Sequence, residues 1–298
     1  MYAIDGQRRP VTTRAEAAGA RDDAKRGDHA NIRCGTDQLF LISGPCVIED
    51  ETTMMRTAEQ LKTVAAGLNL PLVFKSSFMK DNRSAIDHFH GPGLEEGLAL
   101  LARIRRAFDL PVITDVHYPE QVRAAADAVD VLQIPAYLCM QTSLVTAAAR
   151  TGLPVNLKHG QFLAPANMIK PVRKIEASGS NRILLTERGY TFGYNDLVVD
   201  PRSFYELRQT GYPVVFDITH SIRRYGIPSK DPRGSQREYL NTIARAGVAA
   251  GVHGIFVETH PDPPAARCDA ASQVPLAGLA AFLEPLMAIH TLVSRRAP

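Results

Sequence analysis

The sequence predicts a single TIM (β/α)8 barrel over residues 38–298, and three observations lead there. Short apolar runs rich in β-branched residues recur roughly every 20 to 40 residues, eight times in all. Amphipathic segments of helical length lie between them, the alternation that builds a parallel sheet covered by helices. Polar and charged residues gather at the carboxyl end of nearly every run, the end at which such barrels carry their chemistry. A doubly wound open sheet is the alternative. It usually has fewer strands and often a glycine-rich first turn, and no G-x-G-x-x-G follows the first run.

The runs are LFLIS (39–43), PLVFKSS (71–77), PVITDV (111–116), VLQIPA (131–136), PVNLKH (154–159), RILLTE (182–187), PVVFDIT (213–219) and GIFVETH (254–260). Near-continuous apolar runs of this length suit strands buried on both faces. TTMMRTAEQLKTVAAGL (52–68) repeats its apolar positions at helical spacing. Further helices are expected at 92–108, 119–129, 143–150, 235–252 and 275–293. Residues 1–37 are rich in Ala, Arg, Asp and Gly, with little apolar periodicity. They read as a poorly ordered extension or a capping element on the fold.

Composition narrows the function classes. Hydrophobic residues at 45% and charged residues at 22% are those of a globular protein. A net charge of +3 with Lys and Arg scattered gives no case for nucleic-acid binding. Cys34, Cys46, Cys139 and Cys268 are too few for a disulfide framework and form no CxxC, which favours a reducing compartment. No apolar stretch is read as approaching the ~20 residues that span a bilayer, and no signal-type apolar core stands at the N-terminus. A cytoplasmic protein without membrane partners is expected.

The strand ends carry two chemical sets. Lys75, Lys80, Arg83, Lys158 and Arg188 would converge on one mouth and repel one another unless an anion were bound. Arg forks and Lys point charges suit phosphate and carboxylate groups, so the expected substrate is phosphorylated. The second set is Cys46, His220, Glu258 and an acid at Asp262 or Asp269. Thiolate, imidazole and carboxylate together suit Zn2+, Fe2+, Mn2+ or Co2+. A lone Cys after a strand is more often a small buried hydrophobe. Three of these groups, however, end strands one, seven and eight, which are neighbours in a closed barrel.

With these motifs the sequence resembles the 3-deoxy-D-manno-octulosonate 8-phosphate synthases, relatives of the DAHP synthases. The resemblance covers roughly residues 38 to 295. It is carried by GPCVIE (44–49), FKSSFMKDNRSAI (74–86), GPGLEEG (91–97), TDVH (114–117), QIPAYLCMQT (133–142), NLKHGQFLAP (156–165), ERGYTFGYNDLVVD (187–200), FDITHS (216–221) and ETHPDPPAARCDAASQVPL (258–276). The segment from Lys80 to Ser84 separates this branch from the DAHP synthases. The resemblance implies joining of phosphoenolpyruvate to D-arabinose 5-phosphate with release of phosphate, by a homotetramer. It places Lys75, Ser77, Lys80, Lys158 and Arg188 on phosphoenolpyruvate, and Asn82, Arg83 and Ser84 on the aldose phosphate. Asp115 and Gln133 line the pocket, and Lys80, Asp115, His220 and Cys46 are the implied catalytic set. Cys46, where a metal-independent class carries Asn, implies the metal-dependent class, with His220, Glu258 and Asp269 as the other ligands.

The sequence departs from that pattern at several places. Met140 stands where the family usually has an Arg that reaches the acceptor's phosphate from a neighbouring subunit. Met79 replaces a usual Asp, and His159 a usual Lys or similar residue. The segment 221–238 lacks the usual double glycine. Arg223 or Arg224 in that segment is the candidate substitute for the missing Arg. A relative serving a different aldose phosphate is the first alternative reading. A non-catalytic phosphosugar-binding barrel and a Schiff-base aldolase are the others.

Overall fold

Each of the eight apolar runs contains a strand: β1 (Phe40–Gly44), β2 (Leu72–Lys75), β3 (Val112–Asp115), β4 (Val131–Ile134), β5 (Val155–Lys158), β6 (Ile183–Glu187), β7 (Val214–Asp217) and β8 (Gly254–His260). In the computed structural model, which describes residues 11–12, 32–83, 85–191 and 196–294, every strand pairs in parallel with the next. The ring closes because Gly254 of β8 lies opposite both Val215 of β7 and Phe40 of β1. A Cβ on Gly254 would fall 2.4 Å from the Phe40 ring, so closure needs a residue without one. Gly44, at the end of β1, is held to glycine in the same way: a Cβ there would lie 2.0 Å from the Lys75 carbonyl oxygen.

Strand alternation explains why the runs are apolar throughout. Phe40, Ile42, Val73, Ile113, Val131, Leu184, Val215 and Phe256 fill the barrel interior. Intervening residues such as Leu41, Leu72, Phe74, Leu132 and Leu185 pack outward against the helices. Three strands end two residues sooner than their runs. Ser76 and Ser77 lie beyond β2, Pro135 begins a 3-10 turn after β4, and Ile218–Ser221 after β7 is one turn of helix.

The helices are α1 (Glu51–Gly67), α2 (Leu94–Phe108), α3 (Pro119–Ala128), α4 (Thr142–Ala149), α5 (Ile169–Ala177), α6 (Pro201–Arg208), α7 (Leu240–Ala249) and α8 (Leu279–Ser294). The periodicity does not single out α5 and α6. They are nine and eight residues long and bury three residues each, too few to repeat a pattern. One sequence expectation needs correcting. Leu276–Ser294 is long and apolar enough, by length and composition, to cross a membrane. Its Leu279, Leu283 and Leu286 recur at helical spacing and are buried against the rest of the fold, while most of the span is not buried.

Of the N-terminal segment, Val11–Thr12 pairs antiparallel with Arg33–Cys34. Val11, Ile32 and Cys34 pack onto the interior cluster at the end of the barrel away from the charged strand ends. The rest of the expectation for 1–37 falls largely on residues 1–10 and 13–31, outside the described residues.

Candidate active site

The carboxyl ends of the strands surround a cavity of about 400 Å³. Lys75, Lys80, Asn82, Arg83, Asp115, Gln133, Lys158, Arg188, His220 and Asp269 line it. The sequence-derived residues therefore come together from seven of the eight strands or the segments that follow them. Ser77, Cys46 and Glu258 lie just beneath the cavity wall, buried. Ser84 lies outside the described residues.

Pairing tempers the repulsion expected of the cationic set. Lys75 Nζ sits 2.8 Å from Glu258 Oε1 and donates to the Cys46 carbonyl oxygen at 2.9 Å. Lys80 Nζ lies 2.9 Å from Asp115 Oδ2, and Lys158 is in short contact with Asp217. Burial disfavours each ammonium, but Glu258 outweighs it at Lys75 and Asp115 outweighs it at Lys80, so both end above the usual lysine range. Asp115, opposed by burial, is held well below the carboxylate range by Lys80 and Lys75. At Lys158 burial wins and the amine falls below its usual range, even though Asp217 also ends low. The two directions do not mirror one another, because Asp217 also faces His220 Nδ1 at 2.8 Å while Lys158 faces Lys75 and Arg188. Lys158 Nζ lies 3.7 Å above the Phe256 ring, which separates this charged layer from the apolar interior.

Counting Arg83, Arg188 and Arg223 with the three lysines gives six cations against Asp115, Asp217, Glu258 and Asp269. A net positive charge remains, and Nη1 of buried Arg188 has no hydrogen-bond partner among the described residues. A buried, unpaired guanidinium nitrogen facing a cavity is costly unless an anion supplies the acceptor. The floor is ordered by a polar ladder across neighbouring strands. Gln133 donates through Nε2 to Asp115 and accepts from Asn156 at 2.8 Å, and Thr186 donates to Asn156 at 2.7 Å.

Beside this lies the thiolate, imidazole and carboxylate set. Asp217 caps the turn Ile218–Ser221 by accepting from the His220 backbone N–H at 3.0 Å, which swings His220 toward the end of β8. His220 Nε2 lies 3.4 Å from Asp269 Oδ2 and 3.7 Å from Glu258 Oε2, and Cys46 Sγ lies 3.4 Å from Asp269 Oδ2. Donor separations near ~3.4 Å are the edges of a tetrahedron with bonds of about 2.1 Å. Glu258 Oε2 is buried with no hydrogen-bond partner among the described residues and faces His220, a position that a cation between them would satisfy. Asp269, opposed by burial, is kept ionised by Arg223 and His220, and Glu258 by Lys75 and His220. Burial and the neighbouring Cys268 push the Cys46 thiol well above its usual range, so a bound cation is what would hold the thiolate. The residues fit a first-row divalent metal. Of the two acids left open by strand order, Asp269 joins two adjoining groups, one with Cys46 and Cys268 and one with His220 and Glu258, whereas Asp262 is in neither.

Sequence reasoning did not single out Cys268, Tyr137 or Tyr225. Cys268 Sγ lies 2.8 Å from Cys46 Sγ, and its adjacency to Asp269 was the available signal. Tyr225, whose hydroxyl accepts from Gln161 at 2.8 Å and whose ring lies 5.7 Å from the Arg188 guanidinium, sits in the divergent segment 221–238, where nothing marks it. Arg223 lines the cavity but is tied to Asp269, and Arg224 pairs with Asp196 at 3.1 Å. Met140 is half-buried against the core and does not line the cavity.

The chain is 53% identical over 255 residues to a 2-dehydro-3-deoxyphosphooctonate aldolase of Trichlorobacter lovleyi, covering 86% of this chain and 93% of that one. A protein of the same name from Geobacter metallireducens is 51% identical over 88% of this chain and 97% of its own. One from Syntrophobacter fumaroxidans is 49% identical over 87% and 90%. The family model described as the DAHP synthetase I family matches residues 12–294, the barrel and its charged mouth included. A paired cationic cavity beside a thiolate, imidazole and carboxylate cluster thus stands on a match of nearly full length, and the chain belongs to the DAHP synthetase I family.

Proposed function

We propose that the protein condenses phosphoenolpyruvate with D-arabinose 5-phosphate and water, giving 3-deoxy-D-manno-octulosonate 8-phosphate and inorganic phosphate. The observation that carries this reading is the cavity itself: cations for two anionic substrates next to a cluster fit for a metal. The name shared by the similar proteins supports the choice of substrates.

Lys75, Ser77, Lys80, Lys158 and Arg188 are assigned to phosphoenolpyruvate, Asn82, Arg83 and Ser84 to the aldose phosphate, and Asp115 and Gln133 to the pocket wall. Holding two anions that repel in solution is the first task, and the cations perform it. C3 of phosphoenolpyruvate then attacks the acceptor aldehyde carbon, positive charge develops at C2, and water adds there. The hemiketal phosphate loses phosphate by C–O cleavage. Lys80 and Asp115 lie in the path of this chemistry and act as its proton-holding pair, 2.9 Å apart. His220 and Cys46, with Glu258 and Asp269, would hold Zn2+, Mn2+, Fe2+ or Co2+, which supplies Lewis acidity toward an oxygen of the reacting groups. The protein is read as a cytoplasmic homotetramer without nucleic-acid or membrane partners.

Two other readings fare worse on particular observations. A Schiff-base aldolase needs a lysine free to act as a neutral nucleophile; Lys75 and Lys80 are held above their usual range by buried carboxylates, and Lys158, whose amine burial lowers, is tied to Asp217. A non-catalytic binding barrel has no use for the orphaned Glu258 oxygen beside His220. Phosphate release tests the proposal. It should require phosphoenolpyruvate and an aldose phosphate together, with arabinose 5-phosphate the best of a panel. A better substrate elsewhere in the panel would move the acceptor assignment, and release from phosphoenolpyruvate alone would end it.

A further inference from the structure

Two of the cavity cations have a buried polar pair directly behind them. Lys158 is followed by His159, and Arg188 is preceded by Glu187. Lys158 and Arg188 line the cavity, whereas His159 and Glu187 do not. Both of the latter are wholly buried, and His159 Nδ1 lies 3.2 Å from the Glu187 carboxylate. On the other side of the ring Nε2 lies 2.5 Å from the Leu163 carbonyl oxygen. Burial pushes the Glu187 carboxyl up, but His159 outweighs it and the group ends below its usual range. A carboxylate and a carbonyl only accept, so both ring nitrogens donate. The same Glu187 carboxylate accepts the backbone N–H of Arg188 at 2.9 Å and of Gly189 at 2.6 Å, and the Tyr190 hydroxyl at 3.2 Å. Gly189, at φ +90°, turns the chain immediately after Arg188. The Tyr190 ring then meets the His159 ring edge-on at 4.7 Å. At the Leu163 end the ring holds the segment that carries Gln161. That residue accepts from the Thr191 backbone N–H at 3.0 Å and donates to Tyr225, whose ring lies beside the Arg188 guanidinium.

We propose that His159 is a positioning residue for Arg188: by donating to Glu187 on one side and to Leu163 on the other, it fixes the turn from which the guanidinium reaches its anion. The ring touches neither substrate. It ties the segment after β5 to the segment after β6, and the backbone of Arg188 hangs from the carboxylate that it holds. A guanidinium fork is sensitive to such support, because its hydrogen bonds to an anion are directional. The inference rests on the assignment of Arg188 to phosphoenolpyruvate.

The test titrates the whole protein with phosphoenolpyruvate by calorimetry. His159→Gln has one donating group for two acceptors. It should weaken phosphoenolpyruvate binding about tenfold, while the KM for arabinose 5-phosphate moves by less than about twofold. In an Arg188→Ala background the same substitution should add less than about twofold, because the two residues act through one contact. His159→Lys keeps a positive charge and has donors for both acceptors, so it should restore binding to within about twofold. Equal weakening in both backgrounds, or a parallel rise in the KM for arabinose 5-phosphate, would mean that His159 only supports the fold, and would overturn the proposal. Full binding by His159→Gln beside a loss in Arg188→Ala would overturn the positioning role and leave the Arg188 assignment standing. Full binding by Arg188→Ala would remove that assignment and the inference with it. If His159→Gln does not fold, the wild-type protein with 15N-labelled histidine carries the test. Saturation with phosphoenolpyruvate should shift the His159 ring signals, assigned by their absence from His159→Lys, although the ring lies outside the cavity lining. Unmoved signals would overturn the proposal.

Discussion

Arg188 is the side chain at which anion binding is most cleanly isolated, because its Nη1 has no partner among the described residues. A charge-assisted hydrogen bond there is worth on the order of 1.5–3 kcal/mol. Arg188→Ala should therefore raise the phosphoenolpyruvate KM or lower kcat by at least tenfold, and steady-state kinetics showing neither would remove Arg188 from the site. Cys46→Asn should lose metal affinity, read by elemental analysis, while keeping the fold, since Asn fills a similar volume at the end of β1. At this scale the sequence was readable where function required charge at a strand end, as at Lys75, Lys158, Arg188 and Glu258. It was silent on how the charges pair. That Lys75 meets Glu258 and Lys158 meets Asp217 depends on strands that flank a common neighbour in the closed barrel, β2 and β8 about β1, β5 and β7 about β6, which no local pattern encodes. Tyr225 was unreadable for the same reason: its partner Gln161 lies on another loop.

Among the elements, α1 leads directly out of the Cys46 segment, and Asp50 fixes where it starts. The Asp50 side chain accepts from the Thr53 backbone N–H at 2.9 Å and from its hydroxyl at 2.7 Å. The backbone bond from Thr53 holds its carboxyl below the usual range, against slight desolvation. A depressed value in the folded state means stability that is present above the unfolded value of ~3.9 and is lost as pH falls through the folded one. Asp50→Ala should cost about 1 kcal/mol near neutrality, and the gap in melting temperature from wild type should narrow as pH drops below about 4. A gap independent of pH would show that the cap is not the cause. The long helices α1 and α2 were legible because their apolar stripes repeat over four turns. The helices α5 and α6 were not, since two turns with three buried residues give periodicity nothing to act on.

For the whole molecule, closure of the barrel is the property that brings β1, β7 and β8 to one point, and Gly254 is where it can be probed away from the site. Gly254→Ala places a methyl group against the Phe40 ring. Overpacking of this kind costs about 1–3 kcal/mol, which urea denaturation should register as a lower midpoint. An unchanged midpoint would mean that the interior has slack at that seam. Eight apolar runs made the closed sheet legible, because burial on both faces leaves a continuous signature in each strand. What the sequence could not show is what another copy of the chain adds. Met140 packs against its own core and does not line the cavity, so any effect on the acceptor phosphate would have to come through a second copy of the chain. Met140→Arg should lower the KM for arabinose 5-phosphate if that is so, and an unchanged KM would make the difference neutral. The central claim is that Cys46, His220, Glu258 and Asp269 hold a metal in a phosphoenolpyruvate-condensing barrel. The most direct measurement is phosphate release from phosphoenolpyruvate and arabinose 5-phosphate by exhaustively chelated protein, before and after adding Mn2+, Co2+ or Zn2+. The account predicts that most turnover is lost on chelation and returns with the ion. Full turnover by protein that elemental analysis shows to be free of metal would contradict it.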